Sequence, residues 1–306
     1  MNGLFQLKIL AAIVTYNRCI LLSRCIDHLQ AQTRQAQGIL VINNGSTDGT
    51  VEMLERRAIT YVSQENLGSA GGWHRCIQYA LDNGFDAIWL MDDDGFPDVG
   101  ALLALESAIV PGVACASSVV LREDQPMHFV FPFPVLDDTG LPVILGASRK
   151  LYTLSDLRAT ARGGTYPFAH LFNGALITLA AVREAGNVNQ DYFIYGEEVD
   201  YFFRLRRVGL VLSVLNAAHY HPDVTRRPFN PTKVYYYIKN SLVLNSLYFN
   251  AVWVRHAMLL ASVFGRLASR NGLGFVVSLL AGRQAPTFYK AITRGLRGKV
   301  GKDFNG

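Results

Sequence analysis

The stretch that decides the fold is Ala87-Ile-Trp-Leu-Met-Asp-Asp-Asp-Gly-Phe-Pro-Asp98. Its apolar run, with Ile88 and Trp89 in it, suits a strand buried on both faces, and Gly95 and Pro97 end it. In an open α/β sheet, ligands bind outside the carboxyl ends of such strands, where Asp92, Asp93 and Asp94 fall. Residues i and i+2 of an extended backbone point the same way. Asp92 and Asp94 can therefore present two carboxylates to one hard cation, with Asp93 on the other side. A solvated turn is the plainer reading of three adjacent aspartates. A calcium EF-hand loop fails, because its sixth position requires glycine and is Pro97 here. The expectation is a metal site that the rest of the chain has to support.

Upstream, apolar strands alternate with helical stretches: strand 8–15, helix 21–32, strand 39–42, helix 50–57, strand 60–63 and helix 70–82. That order predicts parallel βαβ units and a mostly parallel, nucleotide-binding type of α/β sheet. Each strand runs into a polar loop on the expected ligand edge. These are Thr15-Tyr-Asn-Arg18, Asn43-Asn-Gly-Ser-Thr-Asp-Gly-Thr50 and Glu65-Asn-Leu-Gly-Ser-Ala-Gly-Gly72. Their glycines allow close backbone approach and positive φ, and their small polar side chains offer hydrogen bonds to a base and a ribose.

Downstream, 122–164 carries four prolines and reads as a long irregular excursion, which could shape an acceptor site. A second core strand is expected over 172–179 and a short helix over 180–185. Asp191–Arg207 is the other information-rich segment. Gly196 breaks an aromatic run, and Glu197 and Glu198 open a helix where the dipole favours acids. Asp200 and Arg204 stand i, i+4, and Glu197 and Arg204 two turns apart, so an ion-pair network can absorb part of this charge and leave Glu198 the freer carboxylate. A strand over 210–215 leads to His219 and His221. Helices over 234–249 and 254–269 and a basic end follow. The expected division is a catalytic domain over 1–230 and a helical extension over 231–306.

The chain of 306 residues, half of them apolar, can bury a large core. Its four cysteines have no CxxC spacing and fit buried thiols in a reducing compartment, so a cytoplasmic location is expected. The apolar runs are too short or too interrupted for a membrane span. The net charge of +5 is concentrated at the end, where Arg283, Lys290, Arg294, Arg297, Lys299 and Lys302 face only Asp303. Such a tail suits the inner face of an anionic membrane or an acidic substrate, with a solvated end as the plain alternative. The excess is modest and lacks a basic-aromatic motif, so no nucleic acid is expected.

In its order of motifs the chain resembles the inverting glycosyltransferases of family 2. The matching pieces are Val14–Arg18, Val41–Thr50, Asn66–Gly72, Asp92-Asp93-Asp94, and Glu197-Glu198 with Arg204 and Gly209. Within the family, Gly71–Arg75, Phe193–Tyr201 and Tyr237-x-Lys239-Asn240 are most similar to bacterial galactofuranosyltransferases and O-antigen rhamnosyltransferases. The ending Gly295-Leu-Arg-Gly-Lys-x-Gly301 resembles that of the rhamnosyltransferases. The resemblance implies a GT-A fold: a Rossmann-like, mostly parallel sheet flanked by helices. It also implies a nucleotide-sugar donor and a glycan or lipid-linked glycan acceptor. Asp92, Asp94 and His221 would hold Mn²⁺ or Mg²⁺, with His219 competing for the last place, and Glu198 would be the base. Thr15, Asn17, Arg18, Asn44, Asn66 and Gly68 would line the nucleotide. Trp73 and Arg75 would border the donor sugar or its diphosphate, with Asp93 turned toward the sugar. Asn43 and Glu198 both depart from the family's commoner aspartates. The string Asp92-x-Asp94-Gly95 is also similar to aspartyl-phosphate phosphatases, but these expect a hydroxyl residue where Phe96 stands.

Overall fold

The computed structural model describes residues 6–304 apart from 145, 147, 148, 225–227 and 229. The first half alternates as expected: β1 (Ile9–Thr15), α1 (Cys19–Gln30), β2 (Gly38–Asn43), α2 (Thr50–Arg56), β3 (Thr60–Ser63), α3 (Gly68–Asp82) and β4 (Ala87–Asp92). These strands are parallel, in the order β3-β2-β1-β4. Burial on both faces follows from the period of two. Leu10, Ala12 and Val14 of β1 enter one core layer with Trp73 and Ile77 of α3. Ile9, Ala11 and Ile13 enter the other with Leu22, Ile26 and Leu29 of α1.

After β4 come β5 (Phe96–Pro97), α4 (Ala101–Ala108) and β6 (Val113–Arg122), then β7 (His128–Pro134), β8 (Lys150–Thr153), α5 (Leu154–Thr160) and β9 (Thr165–Tyr166). The excursion expected over 122–164 is therefore structured. Phe129, Phe133, Leu151 and Leu157 bury themselves in a satellite core, and Pro132 and Pro134 lie in β7, whose pairing with β8 shifts register between His128 and Phe133. The sheet continues with β10 (Asn173–Thr178), antiparallel between β4 and β6. Then follow α6 (Leu179–Ala185), α7 (Glu197–Val208) and β11 (Leu210–His221), which is parallel to β6. The strand expected to stop at residue 215 runs six residues further, because a register break between Val214 and Ala218 lets it bulge and resume pairing. His219 and His221 are thus strand residues.

Four helices close the chain: α8 (Pro231–Tyr248), α9 (Val252–Asn271), α10 (Leu273–Ala281) and α11 (Ala285–Leu296). The basic end is helical and folds inward. Phe288 and Ala291 of α11 pack with Tyr235, Tyr236 and Ile238 of α8. Beyond it, Asp303 accepts from the Lys239 ammonium at 2.6 Å and pairs with Arg294 at 2.9 Å. Lys239 is fully buried. Removing one partner of a buried pair is far more destabilising than removing a half-exposed one. Lys239→Ala should cost about 3 kcal/mol of unfolding free energy, against about 1 kcal/mol or less for Arg294→Ala. Urea unfolding of both variants checks this, and equal losses would contradict it.

Candidate active site

The β1–β4 register sets Val14 against Asp92, so the two strands end together and their loops meet. Beyond Asp92 the backbone turns, so strand alternation stops there. The extended alternation that would put Asp92 and Asp94 on one face therefore does not reach Asp94, although the Asp94 charge still acts strongly on Asp92. Asp93 and Asp94 share one guanidinium nitrogen of Arg18, at 2.9 and 2.7 Å. Thr15 donates its hydroxyl to Asp93 Oδ2 at 2.7 Å. Burial lifts the Asp93 carboxyl above its ordinary value, against the pull of Arg18 and Thr15. Asp92 is held well above the usual carboxylate range, first by desolvation and then by the Asp94 and Asp93 charges.

His221 joins from β11. Its Nε2 lies 3.0 Å from Asp94 Oδ1, and its Nδ1 donates to the Pro222 carbonyl at 2.7 Å. That bond places a proton on Nδ1, so in a neutral ring Nε2 turns a lone pair to a carboxylate oxygen. Two such donors need a proton or a cation between them. Their separation equals the edge of an octahedron with bonds of about 2.1 Å, and imidazole held by a carbonyl on its far side is a common metal-ligand arrangement. Three carboxylates facing one guanidinium likewise leave room for more positive charge. The donor chemistry therefore fits Mn²⁺ or Mg²⁺. Among the described residues, however, no set of three His, Cys, Asp or Glu side chains converges as a ready-made ion cage. His219 is fully buried, both its ring nitrogens lack a hydrogen-bond partner among the described residues, and burial lowers its pKa to about 3. It lies beneath Gly95, where a Cβ would come 2.2 Å from its Nε2.

Glu198, on the first turn of α7, accepts from the Leu171 N–H at 2.8 Å and has 36% of its side chain exposed. His170 Nδ1 lies 3.8 Å from the same oxygen; nothing in the sequence singles out this lone histidine. Glu197 behaves differently from the expectation. Arg204 pairs with Asp200 at 2.9 Å, whereas Glu197 is buried and accepts from the Ser69 hydroxyl. Burial raises its pKa to about 7.

The loop before these glutamates is strained and heavily braced. Ile194 N–H donates to the Tyr192 carbonyl at 2.8 Å around Phe193, whose φ of 63° and ψ of −64° form the rare positive-φ γ-turn. The Asn240 amide donates to the carbonyls of Tyr192, Ile194 and Tyr195. On the other side, a Cβ on Gly68 would lie 2.0 Å from the Phe193 oxygen, so glycine is required for α3 to approach.

The remaining candidates divide. Asn44 spends its amide on holding loops together, donating to Gly68 O and accepting from Gln64. Asn17 accepts from Thr47 N–H, and Asn66 caps Gly68 N–H. Arg75 is exposed on α3. Trp73 is 1% exposed and stacks at 4.6 Å on Phe172, whose carbonyl accepts from the Asp92 N–H. Its place on α3, one position after Gly72, turns it toward β1 rather than outward.

A Rossmann-like sheet with an acidic strand end, a histidine beside it and a glutamate on a facing helix is the framework of a glycosyltransferase of the GT-A type. The chain belongs to glycosyltransferase family 2. The sequence model described as Glycosyl transferase family 2 matches residues 11–126. Galactofuranosyltransferase GlfT1 of Mycobacterium tuberculosis is 35% identical over 224 residues, 70% of each chain. GlfT1 of Mycolicibacterium smegmatis is 33% identical over 222 residues, 69% of this chain and 70% of that one. Among solved structures, the mannosyltransferase PcManGT from Pyrobaculum calidifontis, in complex with GDP-Man and Mn²⁺, superposes with a TM-score of 0.58 at 14% identity. It covers 96% of this chain and 88% of that one. S. aureus TarS 1–349 in complex with UDP gives 0.56 at 13% identity, over 95% and 80%. These two likenesses bear out the fold.

Glu197 provides a test of the site's electrostatics. A carboxyl that holds its proton more tightly folded than unfolded makes the fold lose stability as pH rises, from its unfolded value of 4.5 to about 7. The loss is on the order of 3 kcal/mol. Glu197→Gln should flatten the stability profile between about pH 5 and about pH 8, measured by urea unfolding at each pH. An unchanged slope would show that Glu197 ionises normally in the fold.

Proposed function

We propose that this enzyme transfers galactofuranose from UDP-galactofuranose to a glycan or lipid-linked glycan, inverting the anomeric carbon, with Mn²⁺ or Mg²⁺ bound. The observation that carries the donor assignment is the 35% identity, over 70% of the chain, to a galactofuranosyltransferase. The polar loops after β1, β2 and β3 would hold the nucleotide. Asp94 and His221, with Asp92 beside them, would hold the ion. When bound, the ion supplies positive charge to the diphosphate as it leaves. Arg18 adds a second positive charge at the same strand end.

Glu198 would accept the proton of the attacking acceptor hydroxyl. Its Oε1 is fixed by the Leu171 N–H, and its exposed carboxylate can reach an incoming group without breaking the helix start. The hydroxyl oxygen then bonds to the anomeric carbon from the face opposite the nucleotide, and the nucleoside diphosphate departs. Burial unfits Glu197 for this task, because its Oε1 is taken by Ser69.

Purified enzyme with Mn²⁺ and mixed glycan acceptors should release UDP from UDP-galactofuranose and little dTDP from dTDP-rhamnose. The opposite ratio would move the assignment to rhamnose. Glu198→Gln should lower turnover by roughly 10²–10⁴-fold with UDP binding intact, and near-normal turnover would remove Glu198 from the chemistry. Asp94→Ala and His221→Ala should each abolish the gain in UDP affinity that Mn²⁺ gives, read by calorimetry with and without the ion. An undiminished gain would place the ion elsewhere.

A further inference from the structure

Between Asp223 and Asp303 the chain has thirteen Lys and Arg residues and no Asp or Glu, whereas residues 1–223 hold sixteen basic against twenty-three acidic. The C-terminal helices are therefore a strongly positive body joined to a negative one. Within that body, Asn271 to Gly282 is free of charge, and α10 occupies most of it. Only Leu279 of α10 is fully buried, packed with Val263 and Leu267 of α9 and Phe288 of α11. Leu273, Val277 and Leu280 are 74%, 64% and 40% exposed. Their i, i+4, i+7 spacing puts them on one stripe. A surface helix normally turns such a stripe to the core, and here it faces outward. Arg270 precedes α10 and Arg283 follows it. Neighbouring helices expose Trp253 (75%) and Tyr289 (53%), side chains that favour the boundary between lipid and water.

We infer that the outer face of α10 docks on an anionic membrane. The helix would lie in the plane of the surface, with Leu273, Val277 and Leu280 in the acyl boundary and the flanking arginines at the headgroups. Nine residues are too few to span a bilayer, and no helix among the described residues is long and apolar enough to cross one. A second copy of the chain is the less suitable occupant, since two all-basic bodies repel where an anionic surface attracts. Packing also links α10 to the loop before Glu198. Leu279, on the inner side of α10, shares a packed cluster with Phe193, Ile194 and Tyr195, the loop that leads into Glu198. Together with the proposed lipid-linked acceptor, on which only this last step rests, docking holds the base near the surface from which the acceptor projects.

The test is flotation of the full chain with vesicles of phosphatidylcholine alone and of phosphatidylcholine mixed with phosphatidylglycerol. The wild type should float with the mixed vesicles, less so with phosphatidylcholine alone, and less so as salt rises. Leu273→Ser, Val277→Ser and Leu280→Ser together should weaken partition by about tenfold or more. Because all three side chains are exposed, the thermal midpoint and UDP affinity should stay unchanged. A wild type that does not float, or a triple variant that floats equally well, would overturn the inference. So would a wild-type dimer in sedimentation equilibrium that the triple variant turns to monomer without any vesicle binding. Flotation needs no donor and donor turnover needs no vesicle, so failure of either leaves the other standing.

Discussion

Three carboxylates at the tip of one buried strand concentrate negative charge that the surrounding structure has to offset. The β1–β4 register brings Thr15 and Arg18 to Asp93 and Asp94. After the acidic turn the chain folds onto β11, with Phe96 opposite Tyr220 and Pro97 opposite His219, which carries His221 to Asp94. Gly95 makes this return possible, because any side chain there would collide with His219. An uncharged, desolvated His219 can lie under the turn without adding to its charge. One histidine thus supports the turn and the other addresses its carboxylate, although they stand two residues apart on one strand.

The sequence shows the first half of the fold because each of its elements carries a strong local signal: parallel strands apolar on both faces, then glycine-rich loops. Strand β6 and helix α4 escape that reading. Val113–Arg122 mixes serines with valines, and Ser117 and Ser118 are both buried there, with Ser117 satisfied by the His170 carbonyl from a distant loop. A pattern of apolar periodicity cannot register a serine whose partner lies 53 residues away. The same limit hides the true length of β11, whose bulge breaks the alternation that marks a strand. It also hides the burial of Trp73, because a tryptophan beside a ligand loop carries no local mark of the Phe172 ring that covers it.

The site's acids were legible as a set, but their separate roles depend on environment. Glu197 and Glu198 are chemically identical neighbours on one helix start. The helix turns Glu197 under α3, where Ser69 meets it, and leaves Glu198 at the edge beside Leu171 and His170. Burial then separates them electrically, raising the proton affinity of the inner carboxyl. The loop that sets this orientation holds Phe193 and Tyr195 at positive φ, conformations that persist only where the surroundings over-determine them. Asn240 supplies that constraint from α8 through three carbonyls, and Gly301 N–H adds a bond to Asp191 O.

That bracing ties the C-terminal helices physically to the loop before Glu198. Lys239 and Asn240 are adjacent on α8 and turn in different directions. Asn240 grips the loop before Glu198, while Lys239 reaches Asp303 and the Gly301 carbonyl beneath the Tyr236 ring. Lys302 lies 5.1 Å over the Phe193 ring, closing the circuit from the chain's end back to the strained turn. A buried lysine is costly to desolvate unless its partner is fixed, and Asp303 is fixed here by Arg294 and by the Tyr236 hydroxyl at its backbone N–H. The lone acid of an otherwise basic segment is therefore spent internally, on the clasp that braces the loop before Glu198, and the surplus positive charge is left for the outer surface.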